Sequence, residues 1–160
     1  MTPTFLPLAS GRLALWHRPG RRAVPRLIAA GCDRVVTLLS EREGARELGD
    51  CIAAAGLRWS WIPLPDARPP QGRRHDAACE ALAAIRRALE AGESVLVHCS
   101  AGMHRTGMVG YALLRACGQA PAEALATLRR LRPHAHDGLT PPRREWAEAV
   151  VAELHRAREC

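Results

Sequence analysis

Four short runs of hydrophobic residues along the chain have the length and composition of β-strands. The runs cover residues 12–16, 33–39, 57–62 and 94–97. Each is bounded by residues that favour turns, such as Gly, Pro, Asp and Ser. The run 57–62 alternates polar and apolar residues, whereas 94–97 is almost continuously apolar. A continuous run of this kind is typical of a strand that is buried on both faces of a sheet.

Between and after these runs, hydrophobic residues recur at the spacing of α-helices. The spacing predicts helices over residues 21–30, 41–55, 76–91, 106–117, 121–131 and 140–158. Ser40 and Glu43 form a capping-box pattern at the start of the second helix. Residues 133–138 are predicted to be a loop. The clearest predicted loop is 63–72, which contains four prolines.

The order strand, helix, strand, helix, strand predicts the fold class. It is typical of an α/β fold with a central, mostly parallel sheet flanked by helices. The length of 160 residues fits a single domain, 1–160, with a well-formed core.

The segment 98–107 follows the most apolar strand and leads directly into a helix. A tight loop in this position can point its backbone N–H groups at one centre, which makes an anion site at the helix N-terminus. Arg105 adds a planar guanidinium that can bind two phosphate oxygens. The same positive field should lower the pKa of Cys99, so the side chain is expected to be a thiolate nucleophile. Gly102 permits a positive φ and a close approach of the backbone to the anion.

The side chains around Cys99 are expected to support the thiolate and to bind the phosphate. His98 precedes the nucleophile and is expected to orient the loop and help to hold the thiolate. Thr106 can place its hydroxyl near the sulfur and ease the departure of the thiolate. The predicted phosphate cradle consists of Ser100, Ala101, Gly102, Met103, His104 and Arg105.

The pattern His98-Cys99-x5-Arg105-Thr106 resembles the signature of the cysteine-dependent protein-tyrosine phosphatase superfamily. The resemblance implies the family's fold, with the phosphate-binding loop between a strand and a helix, and hydrolysis of phosphate esters. An acid on a loop some way before the cysteine is also implied. Asp66, in Pro63-Leu64-Pro65-Asp66, matches the compact dual-specificity type, and a carboxylic acid there can protonate the departing oxygen. Asp76 is the alternative, although it fits the first turn of the next helix.

Several side chains outside these motifs have more than one interpretation. Relatives often carry Thr-x-x-Gln-Glu near the last helix, where the Gln orients the attacking water; here Arg143 stands in that stretch and the Gln is missing. Arg73, Arg74 and His75 are interpreted as a solvated basic turn, with a rim that attracts phosphorylated substrates as the alternative. Arg129, Arg130 and Arg132 are interpreted as a solvated helix end rather than a binding site. His134, His136 and Asp137 show no further metal ligand, so no metal is expected. In some relatives a second cysteine forms a disulfide with the nucleophile, and Cys51 or Cys32 is the candidate here.

Composition and charge limit the expected cellular location and partners of the protein. The net charge is +7, and every basic residue other than histidine is Arg, a bias typical of GC-rich bacterial genomes. No stretch is long and apolar enough to span a membrane, and the N-terminus lacks the features of a signal peptide. A cytoplasmic, monomeric protein with reduced cysteines and no cofactor is expected. With 4% aromatic residues and no stacking motif, nucleic acid is a poor candidate partner, although it stays open.

The substrate is expected to be a protein phosphorylated at tyrosine, with phosphoserine and phosphothreonine as further targets. Ala101 and Met103 are neutral where phosphoinositide-type relatives carry Lys or Arg, which disfavours a polyphosphorylated inositol. His104 before Arg105 resembles inositol-pyrophosphate and atypical dual-specificity enzymes, so inositol phosphates and RNA phosphate ends stay open. An inactive phospho-binding pseudophosphatase is the alternative of another class, and a rhodanese-like sulfur transferase fits the motif poorly.

Overall fold

The computed structural model describes residues 2–160, which form a five-stranded sheet flanked by helices. The strands are β1 (Leu6–Leu8), β2 (Gly11–Trp16), β3 (Arg34–Thr37), β4 (Arg58–Trp61) and β5 (Ser94–His98). Their order in the sheet is β1-β2-β5-β3-β4. All neighbours are parallel except β1 and β2. The predicted fold class is therefore confirmed.

Within residues 2–160, seven α-helices connect or follow the strands. They are α1 (Val24–Ala29), α2 (Ala45–Ala54), α3 (Arg73–Glu90), α4 (His104–Ala116), α5 (Pro121–Leu131), α6 (Pro133–Asp137) and α7 (Pro141–Glu159). No helix within residues 2–160 has the length and hydrophobicity needed to cross a membrane.

Three local predictions differ from the structure. The segment 41–55 is not one helix, because Gly44 adopts a left-handed φ of 85° that separates a 3₁₀ turn, Glu41–Glu43, from α2. The loop predicted over 133–138 is wrong: it forms α6, which Pro133 begins and buried Ala135 holds against the core. The sequence pattern also missed β1, a three-residue edge strand that tolerates Pro7 because it has a neighbour on one side only.

The alternation of side chains along the strands divides the core into two clusters, one on each face of the sheet. Leu13 and Leu15 of β2 belong to one cluster, and Ala14 and Trp16 to the other. The central strand β5 is buried throughout, between β2 and β3. Its carboxyl end therefore lies at the edge of a rigid sheet, where ligand sites of α/β folds are usually built.

Candidate active site

The five residues 99–103 connect the end of β5 to the start of α4. Gly102 adopts a φ of 68°, in the left-handed region. A Cβ atom on Gly102 would lie 2.4 Å from the carbonyl oxygen of Trp16, at the end of β2. No other residue type fits this position without a shift of the backbone, which explains the glycine. The loop therefore curls tightly against the sheet edge.

Cys99 is buried at the base of this loop, and its sulfur accepts a hydrogen bond of 3.0 Å from the Thr106 hydroxyl. Burial alone raises the pKa of the thiol. Hydrogen bonds from the side chain and backbone of Thr106 and from the backbone N–H groups of Met103 and Gly102 outweigh that effect, so that the pKa is lowered overall. These hydrogen bonds stabilise the thiolate form of Cys99 at the N-terminus of α4.

His98 belongs to a chain of hydrogen bonds that crosses the sheet. The Trp59 indole N–H donates to Thr37 Oγ1 at 2.8 Å, and Thr37 Oγ1 lies 2.8 Å from His98 Nε2. The Cys99 carbonyl can only accept, so Nδ1–H donates to it at 3.0 Å, and Nε2 of the neutral ring accepts from the Thr37 hydroxyl. Burial lowers the pKa of His98 to about 4, so the ring is neutral at neutral pH. It orients the loop through hydrogen bonds and brings no positive charge to the thiolate.

Arg105 projects from the first turn of α4 and is fixed by a carboxylate that the sequence analysis did not assign to the site. Its two terminal nitrogens donate to Glu43 at 2.8 and 2.9 Å, and one also donates to the Leu64 carbonyl at 2.9 Å. The hydrogen bond from Arg105 is the main reason that the pKa of Glu43 is lowered to about 2. The same pair raises the pKa of Arg105.

Glu43 was visible in the sequence only as a capping residue. The capping box with Ser40 is confirmed, and one carboxylate thus caps the turn after β3 and orients Arg105. A usable signal was its position in the first turn after β3, because β3 and β5 are adjacent parallel strands that end at the same edge of the sheet.

Two further arginines hold the outside of the loop. Arg132, between α5 and α6, donates to the carbonyls of Gly102 at 2.7 Å and Ala101 at 3.0 Å. The interpretation of Arg132 as a solvated residue was therefore wrong. The backbone N–H of Arg18 donates to the Ser100 carbonyl at 3.0 Å. With their carbonyls bonded on the outside, the loop residues are free to turn N–H groups toward the centre.

Asp66 faces the same centre from the loop after β4. It lines a cavity of about 140 Å³ together with Cys99 and Arg105. The remaining lining residues are Ala67, Ser100, Ala101, Met103 and His104. Asp66 is exposed and accepts a hydrogen bond of 2.8 Å from the backbone N–H of Arg68. Asp76, the alternative acid, lies in the first turn of α3 and does not line this cavity.

Arg143, which occupies the place of the missing Gln, contacts the loop of Asp66, the start of α4 and the turn before α7. Its Nε donates to the Ala67 carbonyl at 2.8 Å, and one terminal nitrogen donates to the Gly138 carbonyl at 2.7 Å. The same nitrogen lies 3.2 Å from His104 Nδ1. Arg143 is thus placed beside the cavity without lining it.

Away from the cavity, a cluster of potential metal ligands lies between α3 and α7. His75 Nε2 is 2.8 Å from Glu153, and the Cys79 thiol donates to the same carboxylate at 3.3 Å. The Trp146 N–H donates to His75 Nδ1 at 3.0 Å, so the proton of the neutral ring sits on Nε2, the atom that a metal would need. Burial and Glu153 raise the pKa of Cys79 to about 12. The cluster is a satisfied hydrogen-bond network, and His75 is not the solvated residue expected from the sequence.

The other candidates of the sequence analysis are not brought to the cavity. His136 and Asp137 are 3.3 Å apart at the surface of α6, and within residues 2–160 neither belongs to a cluster of three potential metal ligands. Cys32 and Cys51 belong to the core cluster on the face of the sheet opposite to that of Cys99. Both are free thiols.

Comparison with known proteins agrees with this architecture. Residues 3–152 match the model of PTP-SAK, described as a Swiss Army Knife protein, DSP-PTPase phosphatase domain. The chain belongs to this family. It is a phosphatase domain of the cysteine-dependent, dual-specificity type. No curated protein matched the sequence.

Solved structures show the same fold. Tk-PTP in its active form is 31% identical, with a TM-score of 0.72 over 89% of this chain and 92% of that one. PTPMT1 is 22% identical, with a TM-score of 0.72 over 98% and 100% of the two chains. Human DUSP28 is also 22% identical, with a TM-score of 0.72 over 96% and 99%. At 22% identity, the similarity to PTPMT1 and DUSP28 shows a shared fold and nothing further.

Proposed function

We propose that this phosphatase hydrolyses phosphotyrosine in proteins, with phosphoserine and phosphothreonine as further substrates, through a cysteinyl-phosphate intermediate and without a metal. The observation that carries the proposal is the single cavity onto which Cys99, Arg105 and Asp66 all open. The three groups supply a nucleophile, a phosphate ligand and an acid. The chain acts as one catalytic domain.

In the first step the Cys99 thiolate attacks phosphorus opposite the leaving oxygen. A sulfur–phosphorus bond forms, the phosphorus–oxygen bond to the substrate breaks, and Asp66 gives its proton to the departing oxygen. Arg105 and the backbone N–H groups of residues 100–105 bind the three other oxygens. Because Glu43 fixes the guanidinium beforehand, little reorganisation is needed as charge develops.

In the second step a water molecule attacks the phosphocysteine. Asp66, now ionised, takes the proton of the water, the new phosphorus–oxygen bond forms, and sulfur leaves as a thiolate. Thr106 favours this departure, since its hydroxyl lies 3.0 Å from the sulfur and stabilises the negative charge. The products are inorganic phosphate and the original thiolate.

Three neutral side chains in the lining of the cavity support a phosphomonoester on a protein. Ala67, Ala101 and Met103 line it with small or apolar side chains. None of the three offers a positive charge to a second phosphate, while each can contact a phenol ring or a short alkyl stem.

One observation favours the second candidate, a phosphatase for inositol phosphates or RNA phosphate ends. A neighbouring cavity of about 520 Å³ includes Asp66 and is also lined by Arg68 and Arg74. These two guanidinium groups are placed to meet additional phosphates. The same cysteine chemistry applies to either substrate.

Phosphate release in the presence of a chelator tests the proposal. The substrates are a phosphotyrosine peptide, a phosphothreonine peptide, an inositol polyphosphate and a 5′-triphosphate RNA. We expect fastest turnover on the phosphotyrosine peptide and no turnover by the Cys99→Ser variant, which should still bind oxyanions. Preference for the inositol or RNA substrate would select the second candidate. Tight phosphopeptide binding by the wild type with no phosphate release would indicate a pseudophosphatase.

A further inference from the structure

The loop that carries Asp66 has very few attachments to the rest of the protein. Within residues 65–71 one hydrogen bond is internal, from the Arg68 N–H to Asp66. Across the described residues 2–160, the single hydrogen bond that joins 65–71 to another part of the chain is the one from Arg143 Nε to the Ala67 carbonyl. This tether acts on the residue directly after Asp66.

The turn at Gly138, to which Arg143 is also bonded, is itself fixed against residues 99–105, which we call the phosphate loop. Gly138, whose carbonyl accepts from Arg143, packs so closely that a Cβ there would lie 2.8 Å from the Met103 side chain. Arg143 also donates to His104 Nδ1 at 3.2 Å. One guanidinium therefore joins the loop of Asp66 to the phosphate loop and to the turn between α6 and α7.

Helix α7, which carries Arg143, has little freedom to move. Pro141 and Pro142 set the backbone at its start. Further along, Trp146 donates to His75 of α3, and His75 is paired with Glu153. By contrast, the loop of Asp66 borders the 520 Å³ cavity, whose lining also includes Pro142. The loop has space to move relative to a fixed α7.

We propose that Arg143 is a positioning residue that holds the loop of Asp66 closed over the phosphate loop, so that the carboxyl group reaches the leaving oxygen. The proposal rests on the proposed function of Asp66 as the acid. Arg143 acts through the Ala67 carbonyl and does not itself touch the substrate. Its removal therefore impairs protonation of the leaving group, while Arg132 and Arg18 still hold the phosphate loop.

The experiment measures kcat/KM of wild type, Arg143→Ala and Arg143→Lys on two substrates, p-nitrophenyl phosphate and phenyl phosphate. The first has a leaving group that needs little protonation, and the second needs the acid. Because kcat/KM reports the steps up to cleavage of the ester, it isolates this protonation. Arg143→Ala should lose roughly 10-fold to 100-fold on phenyl phosphate and about 3-fold or less on p-nitrophenyl phosphate.

The variants Arg143→Lys and Arg144→Ala serve as controls. Lysine keeps the charge and can donate to one carbonyl at a time, so an intermediate loss on phenyl phosphate is expected, and this variant also tests the proposal if the alanine variant unfolds. Arg144→Ala removes the same charge from the next position, where the guanidinium lies over the Tyr111 ring, and should match the wild type on both substrates.

The Asp66→Asn background separates the positioning role of Arg143 from the role of Asp66 as the acid. In that background Arg143→Ala should cause no further loss on phenyl phosphate, since the group it positions is gone. An equal loss on both substrates, or the same additional loss in the Asp66→Asn background, would overturn the role of Arg143 while leaving the proposed function intact. If Asp66→Asn alone had no effect on phenyl phosphate, the proposed acid would be wrong instead.

Discussion

The phosphate loop and the loop of Asp66 face each other across one small cavity, but they are held in different ways. Arg132 and Arg18 bind the outside of the phosphate loop, and Gly102 packs against Trp16. Among the described residues, the loop of Asp66 has one hydrogen bond to another segment, from Arg143 to the Ala67 carbonyl. The rigid anion site suits phosphate binding, because preorganised N–H groups stabilise negative charge without reorganisation. The loosely held acid suits turnover, because substrate has to enter and product has to leave.

The strongest test of the rigid side is the substitution Arg105→Lys. A lysine cannot make the paired hydrogen bonds to Glu43 and to two phosphate oxygens together. We expect kcat/KM to fall about 10³-fold, and to fall equally on p-nitrophenyl phosphate and phenyl phosphate. A loss confined to phenyl phosphate would contradict the assignment of Arg105 to the phosphate.

On the loosely held side, Asp66→Asn removes the proton donor and leaves the shape of the side chain. We expect a loss of about 10²-fold on phenyl phosphate and a much smaller one on p-nitrophenyl phosphate. Because Asp66 is exposed, the midpoint of thermal unfolding should not change. Asp76→Asn is the matched control, and transfer of the substrate-dependent loss to that variant would move the acid role to α3.

A smaller effect is expected in the stability of the rigid side. The folded-state pKa of Glu43 is about 2, against an ordinary value of 4.5, so its pair with Arg105 stabilises the fold above about pH 4.5. This stabilisation is lost as the pH falls from 4.5 toward 2. Denaturant unfolding across that range should show a shallower decline for Glu43→Gln than for the wild type. Identical slopes would mean that the pair does not contribute to stability.

The sequence predicted the rigid side better than the loose one, for physical reasons. Strand β5, the phosphate loop and the start of α4 are continuous in the chain, and local signals define them: an apolar run, a glycine and a helix N-terminus. The partners of the loop come from distant segments. Arg132 and Arg143 were placed by α6 and by the turn after it, and the prediction of a loop at 133–138 concealed that geometry.

Glu43 illustrates the same limit from the other direction. Its local role, the capping box with Ser40, was predicted and confirmed. Its contact with Arg105 depends on β3 lying next to β5 in the sheet, a long-range arrangement that periodicity does not encode. Charge alone could not single out Arg132 or Arg143 either, since arginine is spread along the whole chain.

The most direct test of the central claim is detection of phosphate on Cys99. Wild type and Asp66→Asn are mixed with p-nitrophenyl phosphate, quenched in acid and analysed by peptide mass spectrometry. Because Asp66 is also the proposed base for hydrolysis, the Asn variant should accumulate a phosphoryl group on the peptide that contains Cys99, and Cys99→Ser should show none and no turnover. Steady phosphate release with Cys99 unmodified in both enzymes, or turnover by Cys99→Ser, would contradict the account.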